Sequence, residues 1–224
     1  MSLYTDVAAA LDAQGLLLRG GFHARDSDGL PEGAGTVLMV GNAGPALWRV
    51  FAQAPEARDG APDGLDRWTR RVIDDLAERF RARAVLPFDG PPYAPFQRWA
   101  RRAEPVAPSP IGILIHPDYG LWHAYRGALV FAEQFDLPPA DDRPRPCDSC
   151  PDMPCLNTCP VDAFTPAGYD VAACAGHIAS VQGQDCVDGG CLARRACPVG
   201  LAYRYDGAQA RWHMRAFLGA NAPG

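Results

Sequence analysis

The residues with the clearest chemistry are eight cysteines, all of which lie between positions 147 and 197, whereas residues 1–146 contain none. Cysteine thiolates bind zinc or iron–sulfur clusters, and in an oxidising compartment cysteines pair as disulfides. Eight cysteines gathered in one short stretch indicate side chains that act together as metal ligands. We therefore expect this part of the chain to be an intracellular iron–sulfur redox module.

The cysteines form two groups with a single cysteine between them. In chain order they are Cys147, Cys150, Cys155 and Cys159, then Cys174, then Cys186, Cys191 and Cys197. Both groups end in Cys-Pro-Val, at residues 159–161 and 197–199. The repeated ending indicates an internal duplication that has since diverged.

This order predicts two [4Fe–4S] clusters whose ligands cross over between the groups. Three thiolates on one tight loop can surround one cubane, but the fourth lies too far round, and the proline after it disfavours helical geometry at that cysteine. In two-cluster ferredoxins this fourth cysteine binds the other cluster. One predicted ligand set is Cys147, Cys150, Cys155 and Cys197, and the other is Cys159, Cys174, Cys186 and Cys191.

The spacing departs from the bacterial ferredoxin pattern. That pattern has two residues between the second and third cysteine, whereas this chain has four. The second group is more irregular, so the first cluster is the better supported of the two. Structural zinc is an alternative because CxxC pairs also bind zinc, although no histidine lies at zinc-finger spacing. Disulfides are a third interpretation, which a reducing compartment disfavours.

The composition limits the partners and the compartment. The net charge of −5 argues against strong nucleic-acid binding, although a local basic face near Arg194, Arg195, Arg204, Arg211 and Arg215 leaves that partner open. The chain has no lysine, which excludes a Walker-type phosphate loop and a Schiff-base nucleophile. Neither a signal peptide nor a long apolar stretch is evident, so we expect a cytoplasmic protein that does not cross a membrane.

A proline-rich segment predicts where the chain divides. Residues 137–146 contain four prolines, so we expect an α+β cofactor-pocket domain over residues 1–137, a linker over 138–146 and a ferredoxin-like iron–sulfur module over 147–224.

In the first domain, apolar periodicity predicts helices at 6–17, from 46, at 65–80 and at 96–102, and strands at 37–40, 84–88 and 111–115. Residues 121–135 are ambiguous, with a strand favoured after Gly127. The module needs metal as its core and ends in a helix at 209–218.

Two known families share motifs with this chain. Residues 147–197 resemble the paired-cluster module of epoxyqueuosine reductase, which has the same order of a four-cysteine group, a lone cysteine and a three-cysteine group. Residues 111–127 are similar to a motif of the cobalamin-processing CblC-type decyanases, sharing Ile-His-Pro, an aromatic residue before glycine, a tryptophan and Ala-x-Arg-Gly. The resemblance implies a flavin-reductase-like α+β fold, and a corrinoid or, as a second choice, a flavin beside an electron-delivering cluster module.

Four residues are candidate cofactor contacts. By the resemblance to the CblC-type family, Arg126 lies in the cofactor pocket, and its planar donor group suits an anion or a carboxamide. His116, Tyr119 and Trp122 lie in the same motif, where the two aromatic rings could stack on a planar ligand. A structural role in the core explains these three residues equally well. No catalytic residue is assigned.

Three functions fit these features. The first is electron transfer from two clusters to a partner protein, a small-molecule acceptor or a cofactor in the first domain. The second is an oxidoreductase that binds cobalamin and acts as a reductase or decyanase. The third is a metal-stabilised interaction module without redox turnover.

Overall fold

The computed structural model describes residues 2–221, which form two compact units. The first unit comprises residues 2–105 and 123–143, and the second comprises residues 106–122 and 144–221. These bounds differ from the predicted domains chiefly at residues 106–122, which the prediction placed in the first domain. The break after residue 143 falls within the predicted proline-rich linker.

The first unit contains four helices and four strands within the described residues. In chain order they are α1 (Leu3–Asp12), β1 (Leu17–His23), β2 (Thr36–Ala43), α2 (Ala46–Phe51), α3 (Gly64–Phe80), β3 (Arg83–Val85), α4 (Phe96–Ala103) and β6 (His123–Phe131). Between α4 and β6 the chain forms two short strands of the second unit, β4 (Ala107–Pro108) and β5 (Leu114–Ile115). This mixture of helix and sheet was predicted from the sequence.

The four strands of the first unit form one antiparallel sheet in the order β1-β2-β6-β3. Every residue of the central strand β2 is buried, which accounts for its continuous apolar run. In the core, Val37 and Met39 of β2 pack with Trp99 of α4. Between Val40 and the next residue of β2 the register shifts, so that Arg126 is an extra residue on β6.

The start of the chain differs from its prediction. Instead of one helix over residues 6–17, α1 ends at Asp12 and β1 begins at Leu17. Gly15 adopts a φ of +67°, a left-handed conformation that typically follows the end of a helix. Two adjacent glycines within β1 weaken the strand pattern in the sequence, which explains why β1 was not predicted.

A buried polar network joins separate parts of the first unit. Arg19, which is 1% exposed, forms an ion pair with Glu104 and donates hydrogen bonds to the Asn42 carbonyl and to Nδ1 of His123. Tyr125 donates its hydroxyl proton to Glu104. Arginine can only donate, so His123 accepts through an unprotonated Nδ1. A buried charge needs such partners, and the network therefore supports a structural role for His123.

The second unit consists of short elements. After β4 and β5 come α5 (Pro154–Asn157), β7 (Phe164–Thr165), β8 (Gly168–Tyr169), α6 (Val171–Ala179), α7 (Gln184–Gly189), α8 (Leu192–Ala196) and α9 (Gly207–Ala220). The predicted strand at 111–115 is reduced to β5, because a turn closed by the Gly112 N–H and the Ser109 carbonyl precedes it. Among residues 2–221, no helix has both the length and the apolar character needed to span a bilayer.

Candidate metal-cluster sites

The second unit contains a pocket that we call the Cys147 pocket. Its wall includes the four cysteines of the first predicted ligand set, which are Cys147, Cys150, Cys155 and Cys197. Cys147 lies in the tight 3₁₀ turn at residues 146–149, and Cys150 directly follows that turn. Cys155 lies in the helix α5. The fourth lies at the C-terminal end of α8.

A second pocket, with a volume of about 130 Å³, lies in the same unit and is called the Cys174 pocket. Its wall includes the other predicted set, which is Cys159, Cys174, Cys186 and Cys191. The structure thus brings together the members of each predicted set around separate pockets. Whether these cysteines bind metal stays a prediction.

Two short helices explain why neighbouring cysteines belong to different pockets. Cys191 and Cys197 lie at opposite ends of α8, whose five residues span about 7.5 Å at 1.5 Å per residue. Similarly, Cys155 lies within α5 whereas Cys159 follows its end, where the chain has left the helix. The crossed order of the cysteines around the two pockets is therefore a consequence of where these helices begin and end.

The two pockets share an apolar wall. Ala193 of α8 is fully buried and lines the Cys174 pocket. It also packs in one apolar core with Cys147, Cys155 and Cys197. Ile111, Ile115 and Leu121 complete that core, which is the physical reason that residues 106–122 belong to the second unit.

All eight cysteines are free thiols. Burial raises the pKa of Cys155, Cys186, Cys191 and Cys197. The backbone N–H groups of Ala193 and Arg194 hydrogen-bond to Cys191 and oppose this effect, and the Ala163 N–H donates to Sγ of Cys159 at 3.4 Å. Such N–H donors stabilise a thiolate, which is the form that binds iron.

Within residues 2–221, no group of three or more His, Cys, Asp or Glu side chains is arranged around a single ion position. The ligands of a cubane are not expected to form such a group, because each cysteine binds a different iron atom. Free cysteines in fours, three of the first four and one of the second four buried, with mostly apolar walls and N–H donors at some of the sulfurs, fit [4Fe–4S] clusters.

Tyr169 distinguishes the Cys174 pocket from the other. Its side chain lines this pocket, where burial and a hydrogen bond with Cys174 raise the pKa of the tyrosine. The ring of Tyr169 stacks on Phe164 with 5.0 Å between the ring centroids. Tyr169 lies within the segment that resembles epoxyqueuosine reductase, but its spacing predicted no contact with the cysteines.

His116 and Tyr119, two of the predicted cofactor contacts, stabilise a loop of the second unit. Nδ1 of His116 accepts hydrogen bonds from the backbone N–H groups of Asp118 and Tyr119, at 3.0 and 3.3 Å. The rings of His116 and Tyr119 stack with 4.3 Å between centroids. These contacts provide a structural role for both residues, and their role as cofactor contacts stays a prediction.

Trp122 packs against Arg194, which the sequence predicted only as part of a basic face. The guanidinium of Arg194 lies 4.6 Å from the ring centroids of both Trp122 and Tyr205, at a distance typical of cation–π contacts. Arg194 also donates two hydrogen bonds to the Leu121 carbonyl, at 2.9 and 2.6 Å. Arg194 thus holds the end of the 106–122 segment within the second unit.

Arg126 lies in the first unit, whereas the other three predicted contacts lie in the second. It is the bulged residue of β6, and its Nη1 lies 3.8 Å from Oδ1 of Asp66 on α3. Burial raises the pKa of the Asp66 carboxyl, and the positive charge of Arg126 opposes that shift. A bulge re-aims a side chain, which is common near functional sites.

A glycine contact in the second unit leads to the first prediction. Gly120 has a φ of +57°, and a Cβ there would lie 2.0 Å from the Val199 carbonyl oxygen. We expect Gly120→Ala to lower the free energy of unfolding by about 3 kcal/mol, from backbone strain and overpacking. Gly219→Ala is the matched control, because no atom lies within 4 Å of its added Cβ. Equal stability of the two variants in chemical denaturation would contradict this account.

Comparison with known proteins finds similarity in structure but not in sequence. No protein-family model matches the sequence, and no curated protein matches it either. The structure of epoxyqueuosine reductase from Streptococcus thermophilus is similar with a TM-score of 0.52 at 12% identity, over 90% of this chain and 67% of that one. Epoxyqueuosine reductase with a tRNA-Tyr epoxyqueuosine-modified stem loop is similar with a TM-score of 0.51 at 13% identity, over 91% and 67%.

The B12-trafficking protein CblC of C. elegans, a homologue of human MMACHC, is also similar. Its TM-score is 0.53 at 14% identity, and the match covers 95% of this chain and 92% of that chain. At such identities the similarity concerns the fold. The two resemblances inferred from motifs are thereby confirmed as structural relationships.

Proposed function

We propose that this chain is a cytoplasmic iron–sulfur redox protein that holds one [4Fe–4S] cluster in each cysteine pocket. In this proposal the second unit is a ferredoxin-like module that passes electrons to a redox partner or to a cofactor in a flavin-reductase-like first unit. The observation that carries the proposal is the sorting of eight free cysteines into two sets of four, in crossed order, around two separate pockets.

The chain's own residues would perform three tasks. The thiolates bind iron, and the apolar walls exclude water. The backbone N–H groups that hydrogen-bond to the sulfur atoms of Cys159 and Cys191 offset negative charge on those sulfurs. When bound, the clusters supply one-electron transfer at potentials set by their surroundings. Ala193 packs with the cysteines of the first pocket and lines the second, which supports electron exchange between the two clusters in this proposal.

Iron and sulfide analysis tests this proposal. Protein purified without oxygen should contain about eight iron and eight sulfide per chain and absorb broadly in the visible region. A redox titration should reduce and reoxidise both clusters without loss of secondary structure. Stoichiometric zinc without sulfide would refute the proposal, and clusters that cannot be cycled without unfolding would favour the structural interaction module instead.

A corrinoid-dependent reductase or decyanase is the second candidate, and the match over most of the length of CblC favours it. In that function Arg126, at the bulge of β6, would contact the corrinoid. We expect cob(II)alamin to change its electron paramagnetic resonance (EPR) spectrum on binding, and Arg126→Ala to weaken binding by about tenfold, the loss of one charged hydrogen bond. Arg83→Ala, an exposed arginine on β3, is the control. An unchanged spectrum at excess cobalamin would reject this candidate.

We propose a redox partner and not a nucleic acid. One similar structure contains a tRNA stem loop, but this chain carries a net charge of −5. Two arginines of the basic face are paired, Arg195 with Asp185 at 2.5 Å and Arg211 with Asp188 at 2.7 Å. These pairs reduce the positive charge that phosphate contacts would need.

A further inference from the structure

Ser109 is one of the residues that line the Cys147 pocket. The residue is 7% exposed, and its Oγ has no hydrogen-bond partner among residues 2–221. Its backbone is fixed, because the Ser109 N–H donates to the Ile113 carbonyl at 2.9 Å and the Ser109 carbonyl accepts from the Gly112 N–H at 3.0 Å. The main chain therefore holds Ser109 beside the pocket while the hydrogen bond of its hydroxyl is left unmade.

A buried hydroxyl without a partner costs free energy, and nearly all such groups in proteins are satisfied. Apart from Ser109 and the cysteines, the side chains around this pocket are apolar, four prolines among them. The acceptors that these side chains offer the hydroxyl are sulfur atoms, those of the four cysteines and of Met153, together with those of a bound cluster.

We propose that Ser109 donates an O–H···S hydrogen bond to the cluster in the Cys147 pocket and raises that cluster's reduction potential. This inference rests on the proposed function. A reduced cluster carries more negative charge than an oxidised one, so a hydrogen bond to its sulfur stabilises the reduced form more. Ser109 thus adjusts the reduction potential of the cluster, whereas only the cysteines bind the iron.

The two pockets differ in this respect. The Cys174 pocket has no serine in its wall, and its tyrosine, Tyr169, is engaged with Cys174. Loss of the Ser109 hydroxyl should therefore affect one cluster and spare the other. This selectivity separates a local effect on one cluster from a general loosening of the second unit.

The experiment compares full-length Ser109→Ala with wild-type protein, both reconstituted with iron and sulfide. Redox titration followed by EPR should show a more negative midpoint potential for the Cys147-pocket cluster and an unchanged one for the other. Ser109→Thr, which keeps the hydroxyl, should stay near wild type. Ser149→Ala is the control, because its exposed hydroxyl already contacts the Pro146 carbonyl at 3.3 Å.

An unchanged midpoint potential in fully loaded Ser109→Ala would overturn the inference. If that variant does not load, the wild-type protein still decides the matter. Pulsed EPR in H₂O and D₂O should detect an exchangeable hydroxyl proton beside the Cys147-pocket cluster, and its absence would overturn the inference equally. If the wild-type protein binds no iron and sulfide, the proposed function itself is refuted, and this outcome is separate from the failure of the Ser109 inference.

Discussion

Replacing Cys159 with alanine is expected to remove the cluster of the Cys174 pocket and to leave that of the Cys147 pocket. Iron should fall from about eight to about four atoms per chain, because each [4Fe–4S] cluster carries four. In chain order Cys159 belongs to the first cysteine group, although the crossed assignment gives it to the cluster of the second group. In the structure it lies on the wall that Cys174, Cys186 and Cys191 share.

The matched variant is Cys150→Ala, which belongs to the same sequence group but lines the Cys147 pocket. The two variants should retain different clusters, so their reduced EPR spectra should differ and together account for the wild-type spectrum. Iron and sulfide analysis gives the loading of each. If both variants retain the same cluster, the crossed assignment is wrong and each sequence group binds its own cluster.

Removing both clusters with a chelator is expected to unfold the second unit and to spare the first. In the second unit α5, α7 and α8 have only four, six and five residues, and buried cysteines make up part of the core itself. Structural metals in small domains contribute about 10–16 kcal/mol in the case of zinc, which is comparable to the whole stability of a domain. Without metal, little else holds these short elements together.

Hydrogen exchange measured by mass spectrometry checks this prediction. Amides in residues 106–122 and 144–221 should lose protection after chelation, whereas those of β2 and β6 in the first unit should keep it. The first unit has its own core of Phe22, Met39, Trp99 and Val130, which includes no cysteine. Unchanged protection of the second unit in the metal-free protein would show that its fold does not depend on clusters.

Residues 106–122 are the most informative segment in that experiment. The predicted domain boundary groups them with the first unit, whereas Ile111, Ile115 and Leu121 pack with the cysteines. Loss of their protection together with that of residues 144–221 is expected from this packing. Retained protection would instead support the predicted first domain over residues 1–137.

Local patterns in the sequence predicted the elements that repeat at a fixed spacing. Leu65, Trp68, Val72 and Leu76 recur at helical intervals and are all buried on α3, whose observed bounds differ from the predicted ones by one residue. The cysteine spacing likewise predicted the two sets of four that the structure brings together. The helical signal acts over a few residues, and local chain geometry is enough to express it, whereas the cysteine order predicted the sets only through the pattern of two-cluster ferredoxins.

The tertiary structure alone decided which distant segments meet. Nothing in the turn before β5 indicates that Ser109 lines a cysteine pocket, nor that Arg194 packs on Trp122, because those contacts join residues far apart in the chain. The glycines of β1 also hid a strand that the neighbouring β2 stabilises by pairing. The sequence by itself thus predicted the metal chemistry proposed for this protein. Long-range packing determined which residues surround the two cysteine pockets, because such contacts leave no periodic pattern in the chain.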